Sequence, residues 1–268
     1  MKKKIIIAYL CSPYVPKKNL NNFIHYYKKY KPGVSHKLII CFKNLTLNQI
    51  NYFRKKLKKI KHDEFIDKEE KNDFDFGTNK RVATKYKNNL LFFMNGHSYP
   101  VIKNWLKFYK SNYRPKRIIV STASYESISS KSLYRHHSDN YLNFIYKIIK
   151  YHFMFPVFPN PHIRTTNFLI LGKDFLKYKY LDQANTKEKA WCLESGKNSI
   201  YNYFKRKNYK IYLVNSKNEL FTEKNWYQSE TYAFKNQEKK IMSDNHVRKY
   251  SKMPKKDKIK KRFIVWGF

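Results

Sequence analysis

The sequence contains little of what defines the common metal, disulfide and nucleotide motifs. Its 268 residues include three cysteines and six glycines. Cys11, Cys41 and Cys192 are far apart and form no CxxC pair, so the sequence predicts neither a zinc knuckle nor a disulfide framework, and a reducing cytosol fits. No segment matches a P-loop, GxGxxG, HExxH or Ser-His-Asp pattern. Function must therefore be inferred from the order of structural elements and the polar residues between them.

Long apolar runs are also missing. No stretch approaches the roughly 20 apolar residues that a transmembrane helix needs. Residues 1–11 begin with lysines and an apolar segment, as a signal peptide does. That segment is only about seven residues long, and Ser12-Pro13 follows it instead of a small-residue cleavage site. We therefore expect a buried first strand there, and a cytoplasmic protein.

Acidic residues are scarce, with 19 Asp and Glu against 57 Lys and Arg, and the formal net charge is +38. Such a charge indicates a phosphate-rich partner, either nucleic acid or an anionic membrane face. The lysines are spread along nearly every predicted helix, which favours solvated helix faces. AT-rich codon usage is a third explanation of the positive charge, since Lys, Asn, Ile, Tyr and Phe are all abundant. A salt-sensitive contact with an acidic membrane stays open.

The rest of the composition predicts a folded α/β protein. Hydrophobic residues make up 42% and aromatic residues 18%, which gives enough apolar surface for a core. Apolar runs alternate with helical patterns through the first 120 residues, which predicts a parallel-rich mixed sheet with helices on both faces. The second half is less regular. The predicted strands are 5–10, 37–42, 64–66, 90–94, 118–121, 167–171 and 210–214.

The segment 73–100 is the most informative part of the chain. Asp75 and Gly77 are predicted to form an acidic turn before a helix that starts at about Thr78. The strand Leu90–Met94 follows, and the polar residues 95–98 (Asn-Gly-His-Ser) come directly after it. Ligands of open α/β sheets bind at the carboxyl ends of the strands, so this polar cluster marks a nucleotide site.

On these residues the chain resembles glycosyltransferases of the GT-A type. It is particularly similar to poorly characterised bacterial branches that build surface polysaccharides, including rhamnan-synthesis-like proteins. The resemblance covers approximately residues 4–248. It implies a GT-A-like single domain with a Rossmann-like sheet at 1–248. The composition of residues 249–268 predicts a basic C-terminal tail, whose apolar end docks on the body, with contact to a partner subunit or a membrane interface as the alternatives. The resemblance also implies a nucleoside-diphosphate sugar donor and a glycan or lipid-linked acceptor.

The resemblance further implies which residues bind the nucleotide sugar. Asn95, Gly96 and His97 stand where many members carry Asp-x-Asp, and hard cations prefer carboxylate oxygens, so Mn²⁺ or Mg²⁺ use stays open. The alternatives are a polar loop that caps a helix at Pro100, an ordinary turn at Asp75 and a surface position for Arg81. The implied donor-binding residues are Tyr9, Ser12, Asp75, Gly77, Arg81, Asn95, Gly96 and His97, and the candidate metal ligands are His97, Asp244 and His246.

The implied acceptor side comes from the second half of the chain. His162 and Arg164 suit phosphate or sugar hydroxyls, with a structural role as the alternative. Glu194 is the candidate general base, at the expected start of a helix, and helix capping is its rival explanation. Glu126 and Asp139 are weaker candidates for acceptor contacts.

Two other functions stay open. The first is a nucleic-acid-binding protein, because the basic charge and the many aromatic residues could supply phosphate contacts and stacking platforms. The second is an inactive transferase relative, which the missing Asp-x-Asp favours. The transferase interpretation makes nucleic acid the less expected partner, and it predicts peripheral contact with the inner face of a membrane.

Overall fold

The computed structural model describes residues 4–69, 72–133 and 140–268. Its strands are β1 (Ile5–Cys11), β2 (His36–Lys43), β3 (Asp63–Asp67), β4 (Leu90–Met94), β5 (Tyr99–Pro100), β6 (Arg117–Val120), β7 (Ala123–Ser124), β8 (His162–Ile163), β9 (Asn167–Leu171), β10 (Lys210–Val214), β11 (Leu220–Phe221) and β12 (Met242–Ser243). An eight-stranded mixed sheet forms the centre, in the order β11-β10-β6-β9-β4-β1-β2-β3, and two pairs of short strands lie beside it.

Helices cover both faces of this sheet. Two short 3₁₀ helices, Leu181–Gln183 and Trp226–Ser229, complete the described elements. The α-helices are α1 (Lys17–Lys29), α2 (Leu47–Leu57), α3 (Phe74–Lys85), α4 (Trp105–Asn112), α5 (Ile128–Ser132), α6 (Tyr141–Met154), α7 (Gly172–Phe175), α8 (Lys187–Ser195), α9 (Ile200–Arg206), α10 (Asn245–Ser251) and α11 (Lys255–Trp266).

The predicted α/β class and its parallel-rich mixed sheet are confirmed. β1 pairs in parallel with β2 and β4, and β6 pairs in parallel with β10. Every residue of β1 and β4 is buried, as expected for continuous apolar strands covered on both faces. The strand predicted at 90–94 matches β4 at both ends.

One antiparallel strand decides where the candidate site forms. β9 runs antiparallel between β4 and β6, and its first residue, Asn167, pairs with Met94 at the carboxyl end of β4. The residues before β9 therefore lie beside the loop after β4, and the Asn95 amide donates to the Thr166 carbonyl at 3.0 Å. The side chain of Asn167 is buried and accepts from Tyr109 and Ser121, each at 2.7 Å.

Three predicted boundaries are wrong. α3 begins at Phe74, so Asp75 and Gly77 lie in its first turns and not in a turn before it. The helix expected from Pro100 begins at Trp105, because Tyr99–Pro100 pairs antiparallel with β12. Because of that pairing, the residues that follow β12 lie near the carboxyl end of β4. Glu194, expected at the start of a helix, is the penultimate residue of α8.

The segment 249–268 contains the end of α10 and the whole of α11. Val265 and Trp266 are buried, and the Trp266 indole donates to the Tyr232 carbonyl at 3.1 Å. The Tyr125 amide donates to the Val265 carbonyl at 3.0 Å. The apolar end therefore docks on the body, and α11 becomes one wall of the cavity described next.

Candidate active site

Three loops meet at the carboxyl end of β4. The Ser98 hydroxyl lies 2.8 Å from the Asn95 carboxamide oxygen and 3.2 Å from the Thr166 carbonyl, and it joins the loop after β4 to the loop before β9. Arg248 on α10 donates to the His97 carbonyl at 3.0 Å. The structure thus brings together the predicted segments at residues 95–98, 162–166 and 244–246.

Tyr9 and Gly96 shape the loop after β4. The buried Tyr9 hydroxyl donates to the Gly96 carbonyl at 3.0 Å, and its ring stacks on Phe23 with centroids 3.9 Å apart. A Cβ at Gly96 would lie 2.5 Å from the Leu10 carbonyl oxygen, so only glycine allows this close approach of two backbones. Their predicted contact with a nucleotide sugar stays a prediction.

His97 is half-buried and held by its neighbours. The Asn19 carboxamide donates to Nδ1 at 2.8 Å, so Nε2 carries the proton of the neutral ring in this assignment. Burial lowers the pKa of His97, and the Arg248 cation lowers it further, while Asp244 opposes both. The ring is therefore a neutral donor at physiological pH, suited to a phosphate or hydroxyl oxygen.

The candidate metal ligands are His97, Asp244 and His246. Asp244 caps α10, and its Oδ1 accepts from the His246 and Val247 amides at 2.8 and 2.9 Å. Its buried Oδ2 has no hydrogen-bond partner within the described ranges. Burial, followed by the Arg164 cation, lowers the pKa of His246 to about 4. No three His, Cys, Asp or Glu side chains in these ranges form a metal-binding group, and metal binding by His97, Asp244 and His246 stays a prediction.

The carboxylates of Asp75 on α3 and Glu194 on α8 lie near each other. Burial raises the pKa of Asp75 to about 6, the charge of Glu194 adds to the rise, and Lys43 opposes it. Burial also raises the pKa of Glu194, while Arg164 and the Thr165 amide lower it. A raised pKa makes a carboxylate a stronger base, as the predicted role of Glu194 requires.

Helix capping does not explain Glu194. It lies at the C-terminal end of α8, where the helix dipole disfavours a negative charge. Thr186 caps the start of α8 and accepts from the Lys189 amide, while Ser199 caps α9 and accepts from the Asn202 amide. The rival explanation from sequence is therefore wrong.

Arg81 takes part in a buried ion-pair network. It donates to Asp67 at 2.7 and 2.6 Å and to Asp73 at 2.7 Å, and Lys43 also pairs with Asp73. A Cβ at Gly77 would lie 1.8 Å from the Asp73 carboxylate, so this glycine makes room for the network. Arg81 and Gly77 thus have structural partners, and their contact with a diphosphate stays a prediction.

A cavity of about 450 Å³ opens beside Glu194. Arg164, 7% exposed, lies over the Tyr232 ring at 4.8 Å, and its Nε has no hydrogen-bond partner in the described parts of the chain. His162 donates from Nδ1 to the Asn160 carbonyl at 2.8 Å. Burial lowers the pKa of His162 to about 4, and the Arg164, Lys261 and Lys131 cations contribute. Both predicted acceptor residues therefore face the cavity of the predicted base.

Sequence reasoning missed most of the cations in this cavity. Lys131 from α5, Lys249 from α10 and Lys261 from α11 are far apart in the chain and carry no motif. Glu126, a weaker candidate from sequence, accepts from both Lys131 and Lys261. Burial, then the Lys261 and Arg164 cations, lowers the pKa of Lys131 to about 8. Cations that destabilise one another in a cavity indicate an anion site.

Two other candidates lie elsewhere. Ser12 lines a separate cavity of about 370 Å³ beside α2, which shares no lining residue with the cavity of Glu194. Asp139 lies outside the described residues. Within the described ranges no helix combines the length and apolar character that would let it cross a bilayer.

No family model and no curated protein matches this sequence. The solved structures similar to it include glycosyltransferases. GalNAc-T7, crystallised with UDP, GalNAc and Mn²⁺, is 11% identical, with a TM-score of 0.35 over 44% of this chain and 23% of that chain. The apo-form glycosyltransferase GlyE of Streptococcus pneumoniae is 8% identical, with a TM-score of 0.41 over 78% and 44%.

A mannose-6-phosphate isomerase from Helicobacter pylori is also similar, at 15% identity and a TM-score of 0.43 over 68% of this chain and 78% of that chain. The chain spans about a quarter of the length of GalNAc-T7 (23%) and less than half of GlyE (44%). These TM-scores are low, so the function proposed next rests on the residues of this chain.

Proposed function

We propose that the protein is a glycosyltransferase, a hexosyl- or related sugar transferase of surface polysaccharide synthesis. It moves a sugar from a nucleoside-diphosphate donor to a hydroxyl of a glycan or lipid-linked acceptor. The observation that carries this proposal is Glu194, a carboxylate of raised pKa that faces a cation-lined cavity at the carboxyl end of the sheet. Such a position, beside a buried arginine, is where a sheet of this type binds ligands.

In the proposed reaction Glu194 accepts the proton of the acceptor hydroxyl. The acceptor oxygen attacks the anomeric carbon of the donor as the bond from that carbon to the diphosphate oxygen breaks. The nucleoside diphosphate leaves with the bonding electron pair, and Glu194 ends protonated. A single displacement of this kind inverts the configuration at the anomeric carbon. Arg164 supplies positive charge beside Glu194, close to the reacting atoms.

The donor is proposed to lie over the ends of β1 and β4. Asn95 and His97 follow β4 at this edge, and the charge of Glu194 acts on Asp75, which supports a donor site between them. GalNAc-T7 was crystallised with Mn²⁺, whereas the described residues of this chain offer no three-ligand group. The test described next is therefore made with and without Mn²⁺, and no step of the proposed reaction uses a metal.

The test is a panel of nucleoside-diphosphate sugars in a thermal-shift assay, with and without Mn²⁺. A donor at about one hundred times its Kd stabilises the native state by about 2.7 kcal/mol. For a chain of this size that corresponds to a rise in Tm of about 5–10 °C. The proposal fails if no donor stabilises the protein and the protein instead binds single-stranded nucleic acid.

Turnover is tested with the donor that binds. Glu194→Gln should keep the thermal shift and lose sugar transfer, because the carboxamide keeps the shape of the side chain and cannot take a proton. Glu188→Gln is the matched control on the same helix, since Glu188 pairs with Lys150 and Tyr151 outside the cavity. Equal transfer by both variants would remove Glu194 from the mechanism.

A further inference from the structure

An apolar groove of about 680 Å³ adjoins the cationic cavity. α5 and α11 form its walls, and its apolar lining comes from Leu133, Phe158, Phe263 and Ile264. Leu133 and Phe263 are 62% and 60% exposed, so the groove opens to solvent. A volume of this size lies within the range of about 300–1,000 Å³ that is typical of small-molecule sites.

The groove and the cavity adjoin each other. Lys131 and Ile264 line both of them. The surface therefore changes from hydrocarbon in the groove to the cations Lys131, Lys261 and Arg164 in the cavity. Glu194 lies in the same cavity as these cations. This arrangement places an apolar wall, a positive charge and the proposed base side by side.

Among the described residues, the cations at this junction leave one buried donor unsatisfied. Glu126 ion-pairs with Lys131 and Lys261, and Arg164 interacts with the charges of Glu194 and Asp244. The buried Nε of Arg164 has no hydrogen-bond partner there, and an unsatisfied buried donor costs free energy. A phosphate oxygen would satisfy this donor and relieve the repulsion among the three cations.

We propose that the groove and the cavity together bind one amphiphile, a lipid-linked phosphate or diphosphate. Its hydrocarbon chain lies between α5 and α11, and its phosphate head binds Lys131, Lys261 and Arg164. The inference rests on the proposed function where it names this molecule as the acceptor. A sugar carried on the phosphate head then presents a hydroxyl to Glu194.

α6 supplies a second observation that favours a lipid. Its outward face is apolar, with Leu142, Tyr146, Ile149 and Phe153 between 54% and 74% exposed. α6 packs against α5, which forms one wall of the groove. An exposed apolar face on a chain with a net charge of +38 matches an anionic bilayer, which is where a long-chain lipid phosphate is held.

The test uses isothermal titration of the full chain with geranyl diphosphate, inorganic pyrophosphate and geraniol. Geranyl diphosphate should bind about tenfold or more tightly than pyrophosphate, because only the former buries a chain in the groove. Geraniol should bind weakly, because it lacks the anionic head. Phe263→Asn should remove the advantage of geranyl diphosphate over pyrophosphate. Ile259→Asn, one turn earlier on α11 and 50% exposed outside the groove, should leave it unchanged.

The phosphate head is tested with Lys131→Gln, which should weaken geranyl diphosphate several-fold, against the exposed control Lys256→Gln on α11. Equal affinity for pyrophosphate and geranyl diphosphate would show a free-phosphate site and overturn the lipid assignment. An unchanged chain preference in Phe263→Asn would also overturn it. If geranyl diphosphate binds as expected but no nucleotide sugar stabilises the protein, the proposed sugar transfer fails while this binding site stands.

Discussion

Asp75 is held in the fold at an energetic cost that its replacement should reveal. Burial and the neighbouring Glu194 raise its pKa from 3.8 to about 6. Each tenfold change in proton affinity corresponds to about 1.36 kcal/mol, so the ionised carboxylate costs the native state up to about 3 kcal/mol. Asp75→Asn removes this charge in nearly the same volume. We therefore expect the variant to be more stable than the parent protein at pH 8, by about 1–3 kcal/mol.

The pH dependence has a definite sign. The pKa of Asp75 is higher in the folded state, so the folded state binds more protons between pH 3.8 and about 6. Stability therefore falls as the pH rises through this window, and above it the full cost is present. The difference between Asp75→Asn and the parent should accordingly be near zero at pH 3.5 and reach its maximum above pH 6, within about 1–3 kcal/mol.

The assay is equilibrium unfolding in urea at 25 °C, repeated across this pH range. Asp182→Asn is the matched control, because Asp182 is an exposed carboxylate that pairs with Lys80. Its effect on the free energy of unfolding should stay within about 0.5 kcal/mol at every pH. If Asp75→Asn is equally stable or less stable than the parent at pH 8, the proximity of Asp75 to Glu194 in a desolvated site is refuted.

Three further perturbations have expected outcomes. Glu194→Gln should lower kcat by about 10²–10⁴-fold with little change in donor Kd, measured by product formation and titration. Lys43→Met should cost about 3–5 kcal/mol in urea unfolding, because it leaves Asp73 and Asp67 short of a buried cation, whereas the exposed Lys80→Met should cost less than about 1 kcal/mol. Phe153→Asn should weaken sedimentation with anionic vesicles, and equal binding by parent and variant would contradict a bilayer contact through α6.

The central sheet could be predicted because its strands are continuous apolar runs. Leu90–Met94 was placed to the residue, since a strand buried on both faces needs apolar side chains at every position. The antiparallel direction of β9 could not be predicted, because an apolar run does not encode its neighbour or direction. Yet this direction brings Arg164 and Thr166 to the end of β4. The sequence thus predicted the polar segments, while topology decided that they meet.

α6 shows a different limit. Its apolar residues predict a buried helix face, yet no residue of α6 is fully buried and several of its apolar side chains are exposed, which the sequence pattern does not reveal. The Arg81 network was equally hidden, because Lys43, Asp67 and Asp73 come from separate elements. Ion pairs between distant residues leave no periodic signal in a sequence.

The net charge of +38 has more than one origin. Codon usage or selection for solubility can add lysines on exposed helix faces, where each costs little. The same processes do not explain why Lys261 and Arg164 lie close together in a cavity. The pKa of Lys261 is lowered by burial and by the Arg164 cation. Placing like charges together in a partly desolvated cavity costs free energy, and that cost is offset when an anion binds. The scattered lysines therefore need no ligand, whereas an anion bound beside Glu194 would offset the cost of the cations that converge there.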